Sequence, residues 1–138
     1  MQDFFQFVSH QWALIGAFIG CATMLIAYES RRAGKIITPQ QLANMVNRDN
    51  AVVVDLRDPA DFRKGHVVNA INIPYSGASK RLNELESHKD QPLILVCKMG
   101  QHSGDIGKQL NALGFTQVYR LAGGILDWQG AQMPLVKA

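Results

Sequence analysis

The chain has 138 residues, 47% hydrophobic and 18% charged, with 14 Lys and Arg against 11 Asp and Glu for a net charge of +3. That length suits one domain, the composition excludes global disorder, and the modest, scattered positive charge excludes a nucleic-acid footprint. The two cysteines, Cys21 and Cys97, fall in segments of different character, so they read as free thiols of a reducing compartment, with no disulfide framework, zinc cluster or cofactor implied.

Between Asp3 and Glu29 no Asp, Glu, Lys or Arg occurs, and Trp12 to Tyr28 is almost wholly apolar. Those seventeen residues rise roughly 26 Å as a helix, and Phe4 to Val8 extends them. A transmembrane helix over residues 4–28 is therefore expected, bracketed by Trp12 and Tyr28 as interfacial aromatics. A cleavable signal peptide would need a basic start, and Asp3 is the only charge there. Phe18-Ile19-Gly20-Cys21 faintly resembles a lipoprotein cleavage site, but seven more uncharged residues follow Cys21. Arg31, Arg32 and Lys35 lie in a basic linker, residues 29–35, and the positive-inside rule then places the rest of the chain in the cytoplasm.

Thr38-Pro39-Gln40-Gln41 predicts a helix start, with Thr38 as N-cap, Pro39 at the first helical position and Gln41 closing a capping box. Leu42, Met45 and Val46 supply the apolar face of that helix. Ala51 to Asp55 is a continuous apolar run ending in a carboxylate, as suits a strand buried on both faces of a parallel sheet. Pro59 to Lys64 reads as a short helix, and Ala70 to Ile73 as a short strand closed by Pro74. Lys80 to Glu86 reads as helix, with Leu82 and Leu85 three apart. Pro92 to Val96 is a second buried strand, followed by a helix from about Ser103 to Leu113 that Gly114 ends. Val118 to Leu121 is the last strand, and Gly123-Gly124 opens a final helix carrying Ile125 and Trp128. This alternation predicts one α/β domain over residues 36–138, a central parallel sheet of about five strands flanked by helices.

Cys97 stands between the Pro92–Val96 strand and the helix near Ser103, joined to it by Lys98-Met99-Gly100-Gln101-His102, which has no acidic member. Backbone N–H groups of such a loop, with a helix dipole behind them, make a place for an anion and favour a thiolate nucleophile. A buried structural cysteine is the bland alternative, and the polar, glycine-containing loop argues against it. Ligands bind beyond the carboxyl ends of parallel strands, so Cys97 and the Asp55–Asp58 segment should share one edge.

Three motifs carry a family resemblance. Val53-Val54-Asp55-Leu56-Arg57 with Asp61-Phe62, Gly65-His66-Val67 and Ala70-Ile71-Asn72-Ile73-Pro74 resembles the first signature of the rhodanese family. Cys97 to Ser103 resembles its active-site loop, and Leu121-Ala122-Gly123-Gly124-Ile125 with Trp128 its C-terminal signature. The whole chain looks like a membrane-anchored, single-domain rhodanese of bacterial type, with its C-terminal domain on the cytoplasmic side of the inner membrane.

The resemblance implies a sulfurtransferase. Cys97 is then the catalytic thiol, taking sulfane sulfur as a persulfide from thiosulfate, or from a glutathione or thioredoxin persulfide, and passing it to a nucleophilic acceptor. Lys98, Met99, Gly100, Gln101, His102 and Ser103 would bind substrate, with Ser103 also able to cap the following helix, while Asp55 and Arg57 would brace the sheet edge. Many active members carry arginine where this chain has His102, so thiosulfate should bind poorly. A phosphatase of the Cys-x5-Arg type would need arginine where Ser103 stands. The alternative function is a non-catalytic rhodanese-like module that binds a membrane-protein partner at the bilayer.

Overall fold

The computed structural model describes residues 1–137, in two compact units that divide between Arg31 and Arg32. The first unit is the body of one helix, α1 (Gln2–Ala33), of 32 residues. This helix is long and apolar enough to cross a membrane, a test that a signal sequence also passes. Phe5, Trp12, Phe18 and Leu25 are exposed along it. Within the basic segment 29–35, expected as a linker, Arg31 and Arg32 continue the helix to Ala33 and Lys35 already opens a strand. Arginine is a good helix former, and Gly34, at φ +102°, is the left-handed glycine that ends the helix.

The second unit is built on five parallel strands: β1 (Lys35–Ile37), β2 (Val52–Asp55), β3 (Ile71–Asn72), β4 (Leu93–Val96) and β5 (Val118–Leu121). Their order across the sheet is β1-β5-β4-β2-β3, which puts β4 at the centre. The helices are α2 (Pro39–Arg48), α3 (Pro59–Lys64), α4 (Ala78–Arg81), α5 (Ser103–Ala112) and α6 (Gly124–Gly130). Both faces of the sheet are covered, which is why β2 and β4 are unbroken apolar runs. Leu93, Leu95 and Cys97 point into a core with Leu82, Leu85, Ile106 and Leu110. Ile94 and Val96 point into the other, with Leu42, Ile125 and Trp128.

The capping box forms as the sequence predicts: Gln41 N–H donates to Thr38 Oγ1 at 3.2 Å and Thr38 N–H to Gln41 Oε1 at 2.9 Å. Two elements differ from expectation. Residues 80–86 are not one α-helix, because α4 ends at Arg81 and Leu82–His88 is a 3₁₀ helix. Leu82 and Leu85 are both buried, and a spacing of three falls on one face of a three-residue turn. The strand β1 has no signature in its three residues; it exists through pairing of Lys35, Ile36 and Ile37 with Tyr119, Arg120 and Leu121.

Candidate active site

The β2–β4 register pairs Asp55 with Val96, so the two strands end level and the segments after them meet. Between these segments lies a pocket of about 230 Å³. Cys97, Lys98, Gln101 and His102 line it from one side, Arg57, Asp58 and Asp61 from another, and Tyr75 closes it. The expected common edge is therefore present. A larger groove of about 450 Å³ near Trp128 and Met133 has no nucleophile or titratable side chain in its wall.

The loop after Cys97 is held by the first turn of α6. Ile125 N–H donates to the Cys97 carbonyl at 2.8 Å and Leu126 N–H to the Lys98 carbonyl at 3.2 Å. Gly124 sits so close, at φ +63°, that a Cβ there would overlap the Cys97 carbonyl. With these two carbonyls engaged by α6, the Met99 N–H turns inward and donates to Gln101 Oε1 at 3.0 Å. The Cys97 thiol donates to the same oxygen, at 3.7 Å. One carboxamide oxygen thus accepts from both the thiol and a loop N–H, the donor arrangement an anion would use.

Of the six loop residues expected to hold substrate, Lys98, Gln101 and His102 face the pocket, whereas Met99, Gly100 and Ser103 do not line it. Met99 contributes its N–H while its side chain is exposed. Gly100, at φ +91°, makes the turn. Ser103 is not the helix cap: His102 occupies that position, and Ser103 is the first residue of α5. Its buried hydroxyl donates to the Gly100 carbonyl at 3.2 Å, bracing the loop from inside the first turn.

Asp55 and Arg57 form a buried pair. Arg57 Nε and Nη2 donate to the Asp55 carboxylate at 3.0 and 2.7 Å, and Nη2 also donates to the Gly65 carbonyl at 2.7 Å. Asn72 Nδ2 donates to the Asp55 and Arg57 carbonyls at 3.1 and 2.9 Å, tying β3 to the same corner. The pair's charges are spent on each other, which leaves Lys98 as the cation of the pocket wall, facing Asp58 and Asp61.

Two residues near the site escaped the sequence reading. Tyr75 stacks on His102 with ring centroids 4.0 Å apart, and its hydroxyl donates to Asp105 Oδ2 at 2.9 Å. That hydrogen bond, the Asp105 charge and burial all hold the Tyr75 phenol above its ordinary value. The other is Arg120, in β5 beside β4, whose Nε donates to the Gly34 carbonyl at 3.1 Å. Burial pushes the Arg120 guanidinium down from its ordinary value. The available signal was a lone arginine inside an otherwise apolar strand.

The Rhodanese-like domain model matches residues 38–131. The chain belongs to the rhodanese family. Over 141 aligned residues it is 37% identical to the uncharacterised protein YibN of Escherichia coli, with 99% of each chain covered. It is 32% identical to the thiosulfate sulfurtransferase GlpE of Glaesserella parasuis, covering 72% of this chain and 90% of that one. The crystal structure of a rhodanese-related protein from Thermoplasma volcanium superposes with a TM-score of 0.68 at 27% identity, covering 75% of this chain and 99% of the other. The rhodanese domain here thus carries the family's fold, with buried Cys97 in the wall of its pocket.

Proposed function

We propose that this rhodanese is a sulfurtransferase whose carrier is Cys97, acting at the cytoplasmic face of a bacterial inner membrane. The observation that carries the reading is the Cys97 thiol, at the end of the central strand, bonded to an oxygen that a loop N–H also holds. The thiosulfate sulfurtransferase name of a 32% identical relative supports it. So does the run Arg31, Arg32, Lys35 at the end of an apolar helix, which by the positive-inside rule orients the anchor.

In the first step the Cys97 thiolate attacks the outer sulfur of a donor. With thiosulfate, the sulfur–sulfur bond breaks, sulfite leaves with the bonding pair, and a Cys97 persulfide remains. In the second step an acceptor thiolate attacks the outer persulfide sulfur and leaves as a persulfide, and Cys97 returns as thiolate. No net oxidation occurs. The incoming group would displace Gln101 Oε1 and inherit its donor from Met99. A pocket wall holding Asp58, Asp61 and Lys98, with a histidine as the remaining ionisable group on the loop, favours a glutathione or thioredoxin persulfide over thiosulfate, whose two charges sit on the reacting group itself.

Intact-mass spectrometry after incubation with thiosulfate or glutathione persulfide tests the reading. Addition of one sulfur atom is expected, removable by a thiol and absent in Cys97→Ser. A wild-type chain that takes up no sulfur from either donor would leave the alternative, a non-catalytic module holding a membrane protein.

A further inference from the structure

The carbonyls of the loop after Cys97 are engaged from outside the pocket or from within the loop. Those of Cys97 and Lys98 accept from the Ile125 and Leu126 N–H groups, and that of Gly100 accepts from the Ser103 hydroxyl. Behind the loop α5 begins without a side-chain cap, since His102, at the N-cap, lies against Tyr75 instead. With those acceptors taken and the helix end uncapped, the segment offers donors, the electrostatics of an anion cradle. The group that fills it belongs to the chain itself. Gln101 Oε1 accepts from the Met99 N–H at 3.0 Å and from the Cys97 thiol at 3.7 Å. Gln101 is an exposed residue, whereas Cys97, in the pocket wall, is only 1% exposed.

We propose that Gln101 is a built-in occupant of the sulfur site, a specificity-determining side chain that stands where the charged part of a substrate would go and must swing out before an anion can enter. This rests on the sulfurtransferase reading and adds the donor selectivity of the same site. Leaving costs the carboxamide two hydrogen bonds, one of them to a thiol and therefore weak. An exposed side chain regains water and rotamer freedom as it leaves, which offsets part of that cost. The occupant thus lowers anion affinity severalfold without sealing the site. Thiosulfate has to seat its sulfonate where the carboxamide sits, and His102 supplies no permanent charge against the loss. A persulfide in its protonated form, R–S–SH, presents an uncharged outer sulfur to Cys97 and has no such group to house.

The test compares iodoacetate with iodoacetamide, two alkylating reagents of nearly equal size that differ by one negative charge. Rates are measured at a single pH on the full chain in detergent and read at Cys97 by peptide mass spectrometry, because Cys21 is also a free thiol. Both reagents consume the same thiolate, so their rate ratio cancels the thiolate fraction and any general change in access to the sulfur. Gln101→Met keeps the length of the side chain and removes the acceptor. Its iodoacetate-to-iodoacetamide ratio should rise about fivefold over the wild type, the worth of about one hydrogen bond returned to an anion. Gln101→Glu keeps the acceptor and adds a charge, so its ratio should fall below the wild type.

An unmoved ratio in Gln101→Met overturns the proposal, and so does a Gln101→Glu ratio at or above that of the wild type. Gln101 is exposed and belongs to neither core, so both variants should fold; if one does not, the other decides alone. Alkylation needs no sulfur donor, so the two readings fail separately. Sulfur uptake by the wild type beside an unmoved Gln101→Met ratio overturns the proposal and leaves the sulfurtransferase reading standing. A wild type that takes up no sulfur, beside a raised Gln101→Met ratio, sinks that reading and supports Gln101 as the occupant of an anion site.

Discussion

His102 lies flat against Tyr75, its plane 14° from parallel, and lines the pocket that holds Cys97. A guanidinium has the planar shape to keep that stack, and it adds a permanent charge with a bidentate fork for oxyanions. His102→Arg should therefore raise kcat/KM for thiosulfate about tenfold, roughly 1.4 kcal/mol of transition-state binding. The rate with glutathione persulfide should change much less. Steady-state kinetics with both donors checks it, and an unchanged or lower thiosulfate rate overturns this role for His102. The place of Cys97 was legible in the sequence because a cysteine at a strand end and a glycine in the next loop are local features. Tyr75 was not, since its partners His102 and Asp105 lie about thirty residues away.

The first turn of α6 is the device that shapes the loop, because its N–H groups take the Cys97 and Lys98 carbonyls. Gly124 makes this approach feasible in two ways, by lacking a Cβ and by accepting φ +63°. Gly124→Ala should cost about 1–3 kcal/mol of stability by overpacking, and should slow Cys97 alkylation more than the melting temperature alone explains. Thermal melts and alkylation rates below the melting range separate the two effects; a destabilised variant with an unaltered rate would show that α6 does not shape the loop. The capping box of α2 and the strands β2, β4 and β5 were legible because caps and apolar runs are written in neighbouring residues. The 3₁₀ helix Leu82–His88 was less so, as its three-residue spacing also fits one face of an α-helix.

The chain as a whole joins a rhodanese-like fold to a helix with exposed apolar side chains along its length. A tether of this kind would raise the effective concentration of the carrier for membrane partners. The full chain should remain in the membrane pellet after alkaline carbonate and be released by detergent; recovery in the carbonate supernatant would rule out an integral anchor. Hydropathy, caps, apolar runs and the cysteine loop declared the apolar helix, the α/β class and the place of Cys97 at a strand end in advance, since each is encoded over a few consecutive residues. The pairing of β1 with β5, the Gln101 oxygen poised at the thiol and the cation under α5 came from packing alone. Arg120 meets Gly34 across 86 residues, and no local pattern reports a contact that strand order and register create.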